Sequence, residues 1–158
     1  MVSVTIRHAA AALTLAVLPL QPVLAASGLP RVTAVTIQRN GARSAAVSGD
    51  ESAAYCRRFR LTPAEVRGYF RDADPVDQQA YVHDLDMSRC HAAGTVRLAD
   101  GRRGRWTIDL ARRGMLTIAG RPARYFYCLS CRSPKFDEVD AETADTARDL
   151  IRRARKAR

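Results

Sequence analysis

Beyond residue 25, this chain of 158 residues contains no long apolar run, so no membrane-spanning helix is expected there. No cysteine stands at the end of the N-terminal apolar stretch, which argues against a lipid anchor. Lysine is almost missing, present only at Lys135 and Lys156, so nearly every cation is an arginine. No nucleophile elbow, glycine-rich phosphate loop, HExxH pair or EF-hand loop occurs. A hydrolase or a nucleotide enzyme ordinarily leaves such a trace, so no cofactor and no catalytic residue is expected. No internal repeat is visible.

What the chain does have begins at its start. Met1–His8 carries one cation, Arg7, and Ala9–Leu20 is a short apolar run. Pro22-Val23-Leu24-Ala25 then supplies small residues at the spacing a signal peptidase reads. The run is too short for a stable bilayer helix. Cleavage near Ala25 is therefore expected, releasing a periplasmic or secreted protein. That leaves 158 − 25 = 133 residues, enough for one domain with a genuine core. With Arg7 removed, the formal charge is 25 − 16 = +9. A basic balance usually suggests nucleic acid, but export removes that partner. The expected partner is instead an acidic protein or an anionic envelope component, such as lipid head groups or wall polymers. An arginine bias also arises from a GC-rich genome, so plain solubility is the competing explanation.

Arg31–Gln38 is rich in β-branched residues and reads as a strand after a flexible Ser27–Pro30. Asn40-Gly41 signals a turn, and Ala42–Ala54, small and polar, reads as a mobile connection. Thr62-Pro63-Ala64-Glu65 is a capping box with proline at the first helical position. Val66, Tyr69, Phe70 and Ala73 follow at i, i+3, i+4 and i+7, one apolar stripe that ends before Asp74-Pro75. Tyr81–Leu85 is a weaker strand candidate. Gly94–Ala99, Arg105–Ala111, Met115–Ala119 and Ala123–Cys128 read as antiparallel strands joined at Asp100-Gly101, Arg113-Gly114 and Gly120-Arg121-Pro122. Asp137–Arg158 reads as a charged helix whose acidic half precedes its basic half, matching the helix dipole. Its thin apolar stripe predicts loose docking. The expected fold is α+β: one N-terminal helix packed on a four- to five-stranded antiparallel meander, in a cystatin-like order, plus a C-terminal helix. The divisions are a signal segment over 1–25, a strand and connection over 26–54, a core domain over 55–136, and the charged helix over 137–158.

Successive strands of a meander reverse, so alternate turns share one end of the sheet. Arg102, Arg103, Arg105 and Arg121 should cluster at one end, and Cys90, Cys128 and Cys131 at the other, near Arg112 and Arg113. Four cysteines in an exported domain favour two disulfides, with three possible connectivities. The strands starting at Gly94 and Ala123 should lie about 14 Å apart, while bridged Cα atoms approach to about 4.4–6.8 Å. Cys56–Cys90 with Cys128–Cys131 asks for the least movement. Two alternatives stay open. The CxxC of Cys128 and Cys131 could serve thiol–disulfide exchange, although it leaves a strand where a redox dithiol wants a helix N-terminus. It could also bind zinc with Cys90 and His91 or His83, although the spacing is unusual. No metal is expected.

His83-Asp84-Leu85-Asp86 offers an imidazole and carboxylates, but adjacent strand residues diverge to opposite faces. Trp106 reads as core. Tyr125, Phe126 and Tyr127 place aromatics on both faces of the last strand. Tyr125 and Tyr127 beside Arg124 therefore form a candidate contact surface, unless Leu150 and Ile151 cover them.

Leu61-Thr62, Val66, Tyr69-Phe70, His83-Asp84-Leu85-Asp86, Cys90, Gly94-Thr95-Val96, Asp100-Gly101, Trp106-Thr107-Ile108 and Tyr125-Phe126-Tyr127-Cys128 with Cys131 lie in a recognisable layout. It resembles that of uncharacterised small exported proteins of Gram-negative bacteria, with a helix, an antiparallel meander and a terminal CxxC. The resemblance spans about half of the processed chain and implies export and a single domain. It brings no catalytic residues, and Asp137–Arg158 lies outside it.

Overall fold

A computed structural model describes residues 26–157; the expected signal segment, Met1–Ala25, lies outside the described residues. The architecture is α+β, with six strands among the described residues rather than four or five. They are β1 (Val32–Arg43), β2 (Asp74–Val76), β3 (Cys90–Leu98), β4 (Arg103–Asp109), β5 (Arg113–Ile118) and β6 (Arg124–Tyr127). The order across the sheet is β1-β3-β4-β5-β6-β2, and every neighbouring pair is antiparallel. The helices are α1 (Ala53–Cys56), α2 (Pro63–Asp72) and α3 (Ala141–Lys156).

The extra strand is β2, which pairs Asp74, Pro75 and Val76 with Tyr127, Phe126 and Tyr125. Proline is tolerated there because β2 is an edge strand. Tyr81–Leu85 is not a strand: Ala80–Asp84 forms a single π-helical turn, started by the Asp77 carboxylate accepting from the Ala80 N–H at 2.7 Å. Asn40-Gly41 is not a turn either. β1 runs through both residues to Arg43, and its register against β3 shifts between Asn40 and Ala42. Gly41 has φ +74°, and a Cβ on it would lie 2.7 Å from the Cys56 carbonyl, so α1 can pack directly on the strand. The loop after β1 is pinned. Arg89 donates to the Ser44 and Gly49 carbonyls, and Glu51 accepts from the Ser88 hydroxyl at 2.7 Å.

Helix α2 forms as its sequence dictates. The Thr62 hydroxyl accepts from the Glu65 N–H at 3.2 Å, and Glu65 accepts from the Thr62 N–H at 2.8 Å. Val66, Tyr69, Phe70 and Ala73 are all buried. They pack with Val96, Leu98, Trp106, Ile108, Leu116 and Phe126 on one face of the sheet. Gly114 makes room for Tyr69, whose hydroxyl would lie 2.5 Å from a Cβ there and donates to the Arg112 carbonyl at 2.9 Å. The far end of α2 is closed by residues expected to be flexible. The Ala26 N–H donates to the Arg71 carbonyl and the Ser27 hydroxyl to the Phe70 carbonyl, satisfying carbonyls that a helix end leaves open.

The opposite face carries a second, smaller core of Val76, Ala80, Leu85, Tyr127, Ala147, Leu150 and Ile151. Helix α3 is docked rather than loose. Its thin stripe suffices because Ala147 lets the helix approach closely, and Arg155 anchors its end on Asp74 at 2.6 Å. The sheet is therefore covered on both faces at its β6-β2 end, and on one face at its β1-β3-β4 end.

Two disulfides join Cys56 to Cys90 and Cys128 to Cys131, with Cα separations of 4.7 and 5.4 Å. The first ties α1 to β3 across 34 residues; the second closes a loop with a separation of 3. Loop-closure entropy then predicts that replacing Cys56 and Cys90 together with serine costs about 4 kcal/mol, against about 2 for Cys128 and Cys131. Urea midpoints followed by the fluorescence of Trp106 would rank the two.

Glu65 also grips the segment after β6, accepting from the Ser133 hydroxyl at 2.9 Å and the Lys135 ammonium at 2.7 Å. Burial pulls its pKa upward, but the bonds from Lys135, Thr62 and Ser133 outweigh that and hold it at about 2. A folded-state pKa below the unfolded value gives stability that is present above pH 4.5 and lost as pH falls toward 2. Glu65→Gln should flatten that acid decline, measured as urea midpoint against pH.

Candidate functional site: the open half of the sheet

Alternation along the strands assigns side chains to the two faces. Phe126 points to the α2 core and Tyr127 to the α3 core. On the α3 side, the covered and open halves of the sheet treat their arginines differently.

In the covered half, Arg113 and Asp109 form an ion pair, both buried. Asp109 accepts from the Arg113 backbone N–H and from its Nε, each at 2.9 Å, while Arg113 Nη1 donates to the Tyr81 carbonyl at 2.6 Å. The guanidinium lies over the Tyr81 ring, 4.6 Å from its centroid. Burial pushes the Asp109 carboxyl up to about 6, with Arg113 pulling the other way. Both of these buried charges have a partner.

In the open half, the register sets side chains in rows across the strands. One row is Thr36, Thr95, Arg105 and Thr117; the next is Ala34, Arg97 and Arg103. Arg97 and Arg103 are directly opposed, with Cβ atoms about 5 Å apart by sheet geometry. Arg105 follows two residues along from Arg103 on the same face. All three are exposed, and none has an ion-pair partner among the described residues. They border a groove of ≈ 520 Å³ lined also by Thr36, Thr95, Ile118 and Ala119, with no carboxylate. Directly opposed like charges are destabilising in a sheet, and among the described residues no carboxylate lines the groove to offset the repulsion.

No family model, curated protein or solved structure matches this chain.

The other expected contact residues divide. Arg121 is exposed at its turn, and Arg102 is held by Asp100 at 2.6 Å. The aromatic strand is divided by burial. Tyr127 is fully buried beneath Leu150 and Ile151, so it presents no contact surface. Tyr125 is half-buried against Tyr81, with ring centroids 4.7 Å apart. Arg124 lies on the α2 face, donating to the Ser27 and Gly28 carbonyls, with its guanidinium 5.4 Å from the centroid of the Phe126 ring. Sequence reasoning misses Arg97, although a signal for it exists: a hairpin turning at Asp100-Gly101 sets residue 97 opposite 103.

Cys90, Cys128 and Cys131 do gather at the end opposite these arginines. Arg112, at φ +71°, donates Nη1 to the Cys131 carbonyl at 2.7 Å and Nε to the Asp137 carbonyl at 3.0 Å. It fixes the chain leaving β6 and addresses carbonyls rather than sulfurs. All four sulfurs are in disulfides, which removes the thiolates that a zinc site would need. His83 is exposed, and His91 Nδ1 sits 3.3 Å from the Arg89 carbonyl. Among the described residues, no group of three or more His, Cys, Asp or Glu is placed to hold a metal.

If Arg97 and Arg103 repel as their register dictates, replacing either with glutamine relieves the repulsion. Arg97→Gln should raise stability by about 0.5 kcal/mol at low salt, and the gain should shrink as salt screens the wild-type pair. Denaturation curves at two ionic strengths would measure it.

Proposed function

We propose that this chain is an exported, disulfide-tied binding protein without catalytic activity, whose Arg97, Arg103 and Arg105 meet an anionic partner. The partner class is an acidic protein or an anionic component of the envelope, not nucleic acid. The single observation carrying this reading is the opposed pair Arg97 and Arg103, two exposed like charges with no carboxylate beside them. Arg113 is fully paired in the covered half, whereas these three have no ion-pair partner among the described residues, which supports an anionic partner outside the chain. Export is supported by the N-terminal apolar run and by two disulfides, which persist in oxidising compartments. Redox chemistry has less support. Cys128 is fully buried, and the next helix begins only at Ala141.

The processed protein, immobilised and exposed to an envelope extract, should retain an anionic component at low salt and release it at high salt. The Arg97→Gln/Arg103→Gln variant should retain about a tenth as much or less. Retention that ignores salt, or that survives the double replacement, would overturn the proposal.

A further inference from the structure

Resting on the binding role proposed for this face, we infer that the groove between β1, β3, β4 and β5 binds a phosphate monoester carried on a small, sugar-like molecule. Three features of the groove point there: its charge count, its neutral donors and its size.

Arg97, Arg103 and Arg105 bring three guanidinium forks to one patch, and none of the eleven residues lining the groove is acidic. A carboxylate carries one charge and two oxygens. It fills one fork and leaves the opposed neighbour uncompensated. A phosphate monoester carries a charge of about −1.5 to −2 and three strong acceptor oxygens, so one group can accept from opposed forks at once. The in-register placement of Arg97 and Arg103 lets their forks converge on a single tetrahedral centre from adjacent strands. Neutral donors stand beside them. Thr36 and Thr95 are opposed on the next row, and neither hydroxyl makes a hydrogen bond among the described residues. Thr117, by contrast, commits its hydroxyl to the Arg105 carbonyl at 3.3 Å.

Size selects the carrier. A groove of ≈ 520 Å³ has the volume of a small-molecule site and is larger than a bare phosphate requires. Ala34 and Ala119 leave space around the arginines for a ring carrying the phosphate, while the Ile118 side chain turns to the α2 core. A bilayer surface fits less well. Anchoring there needs exposed apolar side chains at the rim, and among the described residues the exposed large hydrophobics, Tyr55, Val82 and Met87, lie outside the groove. The N-terminal 25 residues contain no Asp or Glu, so they cannot supply the missing counter-charge.

The test is calorimetric titration of the processed protein with glucose 1-phosphate, its methyl diester analogue, inorganic phosphate and acetate. Glucose 1-phosphate should bind tightest. Its affinity should fall at least about tenfold in Arg97→Gln and in Arg103→Gln, and by a smaller factor in Thr95→Val. Its binding should also weaken as pH drops through about 6, where the monoester gains a proton, while the diester's should not. Equal affinity for monoester, diester and acetate overturns the inference, as does monoester affinity unchanged by the arginine replacements. Stronger binding to vesicles containing phosphatidic acid than to glucose 1-phosphate overturns the small-molecule carrier. If glucose 1-phosphate fails to bind but the arginine variants still lose the extract component, the ligand class is wrong and the broader binding role stands.

Discussion

Antiparallel register between β3 and β4 is the constraint on which the rest of this molecule depends. The turn at Asp100-Gly101 closes with the Leu98 N–H donating to the Arg102 carbonyl, and that bond sets every later pairing of the two strands. On one face it places Gly94 opposite Trp106, so the indole lies in the α2 core. On the other it places Arg97 opposite Arg103. Because the side-chain period of a strand is two, a slip of one residue would bury the arginines and expose Trp106 and Ile108. The hydrophobic core thus enforces the charge repulsion on the far side. The two faces cannot be optimised independently, and the cost on the open face is held in place by the far larger gain on the buried one.

The sheet's two ends differ because only one of them has a second cover. Helix α3 and the π-helical turn at Ala80–Asp84 bury Tyr127 and enclose Asp109 with Arg113. A charge taken out of water there is tolerated because hydrogen bonds from opposite partners compensate it. No described element reaches the β1-β3-β4 end on that side, so Arg97, Arg103 and Arg105 stay hydrated and keep their charge available. Arg112 performs a third kind of work, holding the Cys128–Cys131 loop through backbone carbonyls. One residue type thus serves as a buried counter-ion, a loop clamp and a free cation, and only its surroundings distinguish the three.

Much of the fold was legible in the chain. The capping box at Thr62 and Glu65, the stripe through Val66, Tyr69 and Phe70, and the hairpin at Asp100-Gly101 are local signals, and local hydrogen bonding honours them. Three readings failed for a common reason. Asn40-Gly41 carries a turn signal, yet strand pairing with β3 overrides it. Tyr81–Leu85 has strand-like residues, but Asp77 starts a helical turn there and the α3 core accepts its apolar side chains. Ser27–Pro30 looks flexible, although the open carbonyls of α2 and the core around Leu29 capture it. In each case a distant partner outweighed a local preference. Of the candidate site, Arg103, Arg105 and Arg121 were read from turn geometry, while Arg97 was missed, because its place opposite Arg103 shows only when the turn at Asp100-Gly101 is carried into a register.

The chain by itself determined the helix caps, the alternation along each meander strand, the basic balance and the number of sulfurs, because these depend on neighbours within a few residues. Tertiary structure alone decided which arginines are satisfied and which aromatic face is hidden. A guanidinium becomes a buried counter-ion or an exposed cation according to what packs against it, and that packing is set by residues up to 97 positions away.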